Sequence, residues 1–229
     1  MSTTRRTGIL GGRFDPIHLG HLETAAVARQ VLGLDQVLLL PSKVSPHRTT
    51  PAHATDADRL AMVRLAANGD AYLTPSDLEL DMDAPSYTAV TLEHLHARGF
   101  LRTQLFFIVG ADAFAEIATW HLYPTVLDGA HFVVISRPGH PMADLVETLP
   151  ELRGRMHRVG GDAERVPPDT ETAPLVLLID AVTPDVSSTR IRERVSRGEP
   201  LTGLVPAAVA AYIEHHRLYE PQPADSLHD

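Results

Sequence analysis

The 229-residue chain contains no cysteine. That excludes disulfides, thiolate catalysis and cysteine-type zinc sites, and it lends no support to secretion. Positive charge is not in excess either: 20 Lys and Arg stand against 29 Asp and Glu, a formal net charge of −9. A general grip on nucleic acid needs a basic face, so no nucleic-acid partner is expected, whereas a small anion needs only a local cluster of donors. No apolar run reaches the length of a membrane span. The run Gly8-Ile9-Leu10 behind Arg5-Arg6 is also too short for the core of a signal peptide. A soluble, cytoplasmic protein without a membrane partner is the expectation. Two common phosphate-binding signatures are missing as well, since the sequence holds neither G-x-G-x-x-G nor Gly-Lys-Ser/Thr.

What is present is ordinary globular material, 44% hydrophobic and 21% charged, in a chain long enough to bury one core. Apolar bursts alternate with helical periodicity. Strands are expected at 7–11, 36–40, 71–74, 105–109, 131–136 and 175–179, and helices at 19–32, 55–67, 87–98, 111–119, 188–197 and 206–216. Val37-Leu38-Leu39-Leu40, Phe106-Phe107-Ile108-Val109 and Phe132-Val133-Val134-Ile135 are continuous apolar runs, the pattern of parallel strands covered on both faces. The predicted fold is α/β, a Rossmann-like doubly wound parallel sheet with C-terminal helices. One domain is expected over 1–220, with 221–229 a disordered tail. The stretch 150–174, rich in Arg, Gly, Glu and Pro, reads as an irregular connection.

In such a sheet, ligands lie at the carboxyl ends of the strands. Five loops fall there: 11–12, 41–48, 110–112, 137–139 and 186–192. The first opens Gly11-Gly12-Arg13-Phe14-Asp15-Pro16-Ile17-His18-Leu19-Gly20-His21, a strand running through glycines into a helix start. Backbone N–H groups and the positive end of the helix dipole converge at such a place. His18 and His21 add side-chain donors, but they fit equally well as capping or partly buried residues; a zinc pair would lack a third ligand nearby. Gly20 is read as leaving room for a phosphate, and Asp15-Pro16 as a turn device. The last loop, Val186-Ser187-Ser188-Thr189-Arg190-Ile191-Arg192, places three hydroxyl residues and an arginine at another helix start. Alone it is an anion site or a plain capped surface helix; together, the two loops can hold opposite ends of a triphosphate.

Gly-Gly-x-Phe-Asp-Pro-x-His-x-Gly-His with a distant Ser-Ser-Thr-x-Ile-Arg resembles the nucleotidyltransferase superfamily that moves AMP or CMP from a nucleoside triphosphate. Pro46-His47-Arg48, Pro85-Ser86-Tyr87-Thr88-Ala89, Gly110-Ala111-Asp112, Thr119-Trp120, Ser136-Arg137-Pro138-Gly139 and the closing Tyr212-Ile213 and Leu218-Tyr219 are similar to the bacterial nicotinate mononucleotide adenylyltransferases. The resemblance runs from about residue 7 to 219, in the order of the family.

The resemblance implies that Gly11, Gly12 and Phe14 line an ATP pocket, that Gly110 and Asp112 meet the ribose, and that Ser187, Ser188, Thr189 and Arg192 close over the phosphates. It makes His18, His21 and Arg192 the catalytic groups. Thr88, Ala89 and Trp120 would recognise the nicotinate end, with His47 and Arg137 near the mononucleotide phosphate. The implied reaction joins ATP and nicotinate mononucleotide, with Mg2+ accompanying ATP and no dedicated metal cage; self-association is left open. Nicotinamide mononucleotide, phosphopantetheine or a non-catalytic nucleotide sensor are the competing readings. The indole of Trp120, the single tryptophan, suits stacking on a pyridinium or packing in the core. One departure stands out: Arg13 occupies a position where the family usually carries Thr or Ser. Either a phosphate contact is lost there or the guanidinium itself reaches a phosphate.

Overall fold

The computed structural model describes residues 5–44, 50–83, 85–136, 142–160, 172–181 and 183–221. Seven strands form one sheet: β1 (Thr7–Gly12), β2 (Gln36–Pro41), β3 (Leu73–Pro75), β4 (Leu105–Gly110), β5 (His131–Ile135), β6 (Met156–Arg158) and β7 (Val176–Ile179). Their order is β3-β2-β1-β4-β5-β7-β6, and every pairing is parallel. The direction of winding reverses between β1 and β4, so a crevice opens beyond their carboxyl ends. That crevice is where Gly11, Gly12 and Gly110 lie.

Strand periodicity divides the apolar runs between two cores. Ile9, Leu38, Leu40, Phe107 and Val109 face one side, under α3 (Thr88–Ala97) and α4 (Ala111–Phe114), and pack with Leu92, Leu95 and Phe114. Leu10, Val37, Leu39, Phe106 and Ile108 face the other. There they meet Ala25, Ala28 and Leu32 of α1 (Leu19–Leu32) and Met62 and Val63 of α2 (Asp56–Ala67). Ile191 of α6 (Ser188–Ser196) and Val209 and Ile213 of α7 (Ala207–His215) complete that layer. Helix α1 stops at Gly33, whose φ of 62° supplies the left-handed turn and lets its N–H cap the Arg29 carbonyl. No described helix is long and apolar enough to cross a membrane.

Four elements depart from expectation. The predicted strand at 71–74 forms at Leu73–Pro75, where it pairs with Val37–Leu39 of β2. The single helix at 111–119 is divided: α4 ends at Phe114 and a 3-10 turn follows at Ile117–Thr119. The Thr119 hydroxyl donates to the Glu116 carbonyl at 2.8 Å, a local bond that competes with continued α-helix. The supposed irregular stretch begins with a 3-10 turn, Pro150–Arg155, and strand β6, which adds to the sheet edge along β7. A three-residue edge strand is too short to carry periodicity, so only its partner defines it. Helix α5 (Met142–Thr148) was not foreseen. Residues 161–171 and 222–229 lie outside the described residues, and with them most of the tail.

Candidate active site

Beyond the strand ends lies one cleft of about 440 Å³, within the range of small-molecule sites. It gathers Gly11, Gly12, Phe14, His18, His21, Thr88, Gly110, Asp112, Trp120, Ser187, Ser188, Thr189 and Arg192, residues chosen from loops far apart in sequence. Ala89 is not on its wall: the side chain is buried beneath α3 in the first core, leaving only its backbone N–H to act. His47 and Arg137 lie outside the described residues.

The first loop is built around its own aromatic rings. His18 is the residue before α1, in extended conformation, and its backbone N–H donates to Nδ1 of His21 at 3.2 Å. In the neutral ring, the His21 proton is therefore on Nε2. The two imidazoles stack with centroids 3.6 Å apart and planes inclined by 22°. Capping and cleft-lining thus coincide in the same pair. Phe14, buried and held at φ 47°, meets His21 edge-on at 4.9 Å. A non-glycine residue in that region costs about 1 kcal/mol or more, which the packing of its ring offsets. A Cβ on Gly11 would meet no atom within 4 Å, so the chain is open toward the cleft there. At Gly20 a Cβ would lie 3.1 Å from the His18 ring and 3.4 Å from the Pro184 carbonyl. The absent side chain at Gly20 thus makes room for the His18 ring and the Pro184 carbonyl.

The second loop is joined to the first by direct hydrogen bonds. Ser187 caps α6, accepting from the Arg190 N–H at 3.3 Å. The Ser188 hydroxyl donates to the Pro16 carbonyl at 2.9 Å. Arg192 donates from Nη1 to the Asp15 carbonyl at 2.7 Å and from Nη2 to Thr189 Oγ1 at 3.3 Å. Asp15 is more than a turn residue. Its buried carboxylate accepts from the N–H groups of His53 and Ala54 and from the Tyr219 hydroxyl. The Asp-Pro pair hides this in sequence, because each of these three hydrogen-bond donors is more than 35 residues away.

Arg13 turns its guanidinium to the Pro51 carbonyl at 2.5 Å, with Asp15 Oδ2 at 3.7 Å. The group is engaged in holding the loop that follows β2. Arg13→Thr is therefore expected to change the Michaelis constant for ATP by less than about threefold. A rise above about tenfold in steady-state assays would show instead that the guanidinium carries a phosphate.

At the other end of the cleft, α3 begins at Thr88 behind Tyr87, with no side chain capping it; its first N–H groups have no intrahelical acceptor. The Tyr87 ring lies 4.5 Å from that of His121. Trp120 is half-buried, edge-on to Phe107 at 6.1 Å and to Phe132 at 6.3 Å, so core packing sets its orientation while the cleft receives what remains exposed. Glu79 went unnoticed in the sequence. It is 5% exposed, lines the cleft and accepts from Thr91 Oγ1 at 2.8 Å. Burial pushes its carboxyl above the ordinary value, and hydrogen bonds from Thr91 and Ser86 offset only part of that. Ser86 also accepts from the Lys43 N–H at 3.0 Å. Glu79 stands between Leu78 and Leu80, an alternation that reads as an exposed charge, and no local signal distinguishes it.

Among the described residues, no three His, Asp or Glu side chains are grouped to hold a metal ion. The donors of the cleft are mainly N–H and hydroxyl groups, a set suited to anions.

The profile of the cytidylyltransferase-like family matches residues 9–194. A protein of Pseudomonas putida strain GB-1 named "Probable nicotinate-nucleotide adenylyltransferase" is 42% identical over 217 residues, covering 94% of this chain and 95% of that protein. One of the same name from Roseiflexus castenholzii is 38% identical over 219 residues, covering 95% and 99%. The solved structure of Plasmodium falciparum nicotinic acid mononucleotide adenylyltransferase complexed with NaAD is similar with a TM-score of 0.66. That match is 14% identical and covers 94% of this chain and 97% of that one, a likeness of fold.

Proposed function

The chain belongs to the cytidylyltransferase-like family, and from that premise we propose that it transfers the adenylyl group of ATP to nicotinate mononucleotide. The products are nicotinate adenine dinucleotide and pyrophosphate, a step in NAD biosynthesis. The observation that carries this reading is the joining of two anion-binding helix starts, α1 and α6, across one cleft whose far end holds Trp120 and the start of α3.

No covalent nucleophile is needed. A phosphate oxygen of the mononucleotide attacks the α-phosphorus of ATP in line, a new P–O bond forms, and the bond to the bridging oxygen breaks with its electron pair leaving on pyrophosphate. Catalysis is then positioning plus neutralisation of charge gathering on the α-phosphate. The Nε2–H of His21, together with His18 and Arg192, supplies fixed donors for that charge. Thr189 and the serines at the start of α6 hold the outer phosphates, while Gly110 and Asp112 meet the ribose. When bound, Mg2+ supplies screening of the β- and γ-phosphates. At the acceptor end, the N–H groups of Thr88 and Ala89 favour a carboxylate, which only accepts, over a carboxamide, which must also donate. The indole of Trp120 offers a face to the pyridinium.

The test is pyrophosphate release from purified protein with ATP, Mg2+ and each acceptor separately. Turnover is expected with nicotinate mononucleotide in preference to nicotinamide mononucleotide. Turnover with phosphopantetheine alone would sink the proposed acceptor, and nucleotide binding without turnover would make the protein a sensor.

A further inference from the structure

Tyr219 lies 204 positions from Asp15 in the chain, yet its hydroxyl donates to Asp15 Oδ1 at 3.0 Å. The backbone is bent to bring it there: Arg217 and Tyr219 both lie in the left-handed region, at φ 51° and 68°, a strain that surrounding packing must offset. The ring itself packs against the second core. We propose that Tyr219 is a positioning residue for adenylyl transfer, acting through Asp15 to hold the Arg192 guanidinium at the cleft, on the Asp15 carbonyl and Thr189, and out of a close pair with the Asp15 carboxylate. This inference rests on the reading of Arg192 as a phosphate-neutralising group.

Several donors compete for one buried acceptor. The Asp15 side chain is 2% exposed, so water cannot satisfy it, and an unsatisfied buried carboxylate is costly. Oδ2 accepts from the His53 N–H, with the His53 ring at 3.4 Å and the Arg13 guanidinium at 3.7 Å, and Oδ1 accepts from the Ala54 N–H and the Tyr219 hydroxyl. With those donors in place, Arg192 Nη1 stops 3.9 Å from Oδ2 and bonds the Asp15 carbonyl instead. Burial and the neighbouring Asp15 carboxylate both push the Tyr219 hydroxyl's pKa upward, which keeps it a neutral donor. Removing that hydroxyl leaves Oδ1 short of a donor. Arg192, whose side chain is 20% exposed and now 3.9 Å from the carboxylate, is then drawn into a hydrogen-bonded pair with it and away from the substrate.

The experiment is a double-mutant cycle on the full chain with Tyr219→Phe and Arg192→Ala, read as kcat under saturating ATP and nicotinate mononucleotide, with circular dichroism to verify folding. Tyr219→Phe keeps the packed ring and is expected to lower kcat about fivefold in the parent, yet to have no effect when Arg192 is already alanine. Equal losses in both backgrounds would mean that Tyr219 acts through general stability, and no loss in the parent would mean that it does not act; either overturns the inference alone. An Arg192→Ala enzyme with unimpaired kcat would overturn the reading of Arg192, and this inference with it.

Discussion

His21→Ala is expected to lower kcat by more than about tenfold, a loss above roughly 1.4 kcal/mol of transition-state stabilisation. The side chain has two tasks in the structure, and the substitution removes both. Its Nδ1 accepts the His18 backbone N–H at the start of α1, and its ring stacks on His18. With Nδ1 an acceptor, the proton of the neutral ring is on Nε2, in a residue that lines the cleft. Loss of the capping contact alone costs about 1 kcal/mol of stability, which urea denaturation will read. Loss of the donor appears in turnover. His21→Asn separates the two: its carbonyl oxygen can still accept from the helix start, but its shorter NH2 group does not reach the position of Nε2–H. Stability is expected to recover in this variant while turnover does not. A near-normal rate in His21→Ala, or a rate restored by asparagine, would make the residue a cap and nothing more.

Arg59→Ala is expected to destabilise the fold by about 3 kcal/mol, the cost typical of emptying a large buried side-chain site and leaving a carbonyl without its donor. For a chain of this size that lowers the melting temperature by roughly 6–12 °C. Arg59 in α2 is fully buried. One guanidinium nitrogen donates to the Arg13 carbonyl at 2.6 Å and another to Asp56 Oδ1 at 2.6 Å. The side chain therefore supports the loop after β1 from beneath. Alanine would leave a cavity, an unpaired carbonyl in the loop and a carboxylate at the start of α2 without its partner. Arg59→Met, which retains volume but no donor, is expected to recover part of the loss. A change below about 1 kcal/mol in denaturant unfolding would show that water replaces the guanidinium.

These two residues differ in how far sequence reveals them. His21 belongs to a local pattern, a glycine loop followed by a helix start, and its chemistry is readable there. Arg59 does not: α2 reads Asp-Ala-Asp-Arg-Leu-Ala-Met, and an arginine among acids at a helix start suggests an exposed ion pair. Its burial follows from the packing of α2 against β2 and α7, which local pattern cannot express. The boundary at Phe114 is similar, since the run from Ala111 to Thr119 has helical composition but turns where Thr119 bonds back to Glu116.

The sequence by itself determined the parallel sheet, through apolar runs too continuous for one-sided strands. It determined the two helix starts as well, through glycine, hydroxyl and histidine residues spaced within single turns. Such signals are local because backbone geometry is local. Only the tertiary structure decided which side chains became partners: Tyr219 with Asp15 across 204 positions, Arg59 with the Arg13 carbonyl, Glu79 with Thr91. Each is a polar group removed from water, and its cost is met by donors or acceptors that come near only when the sheet is assembled.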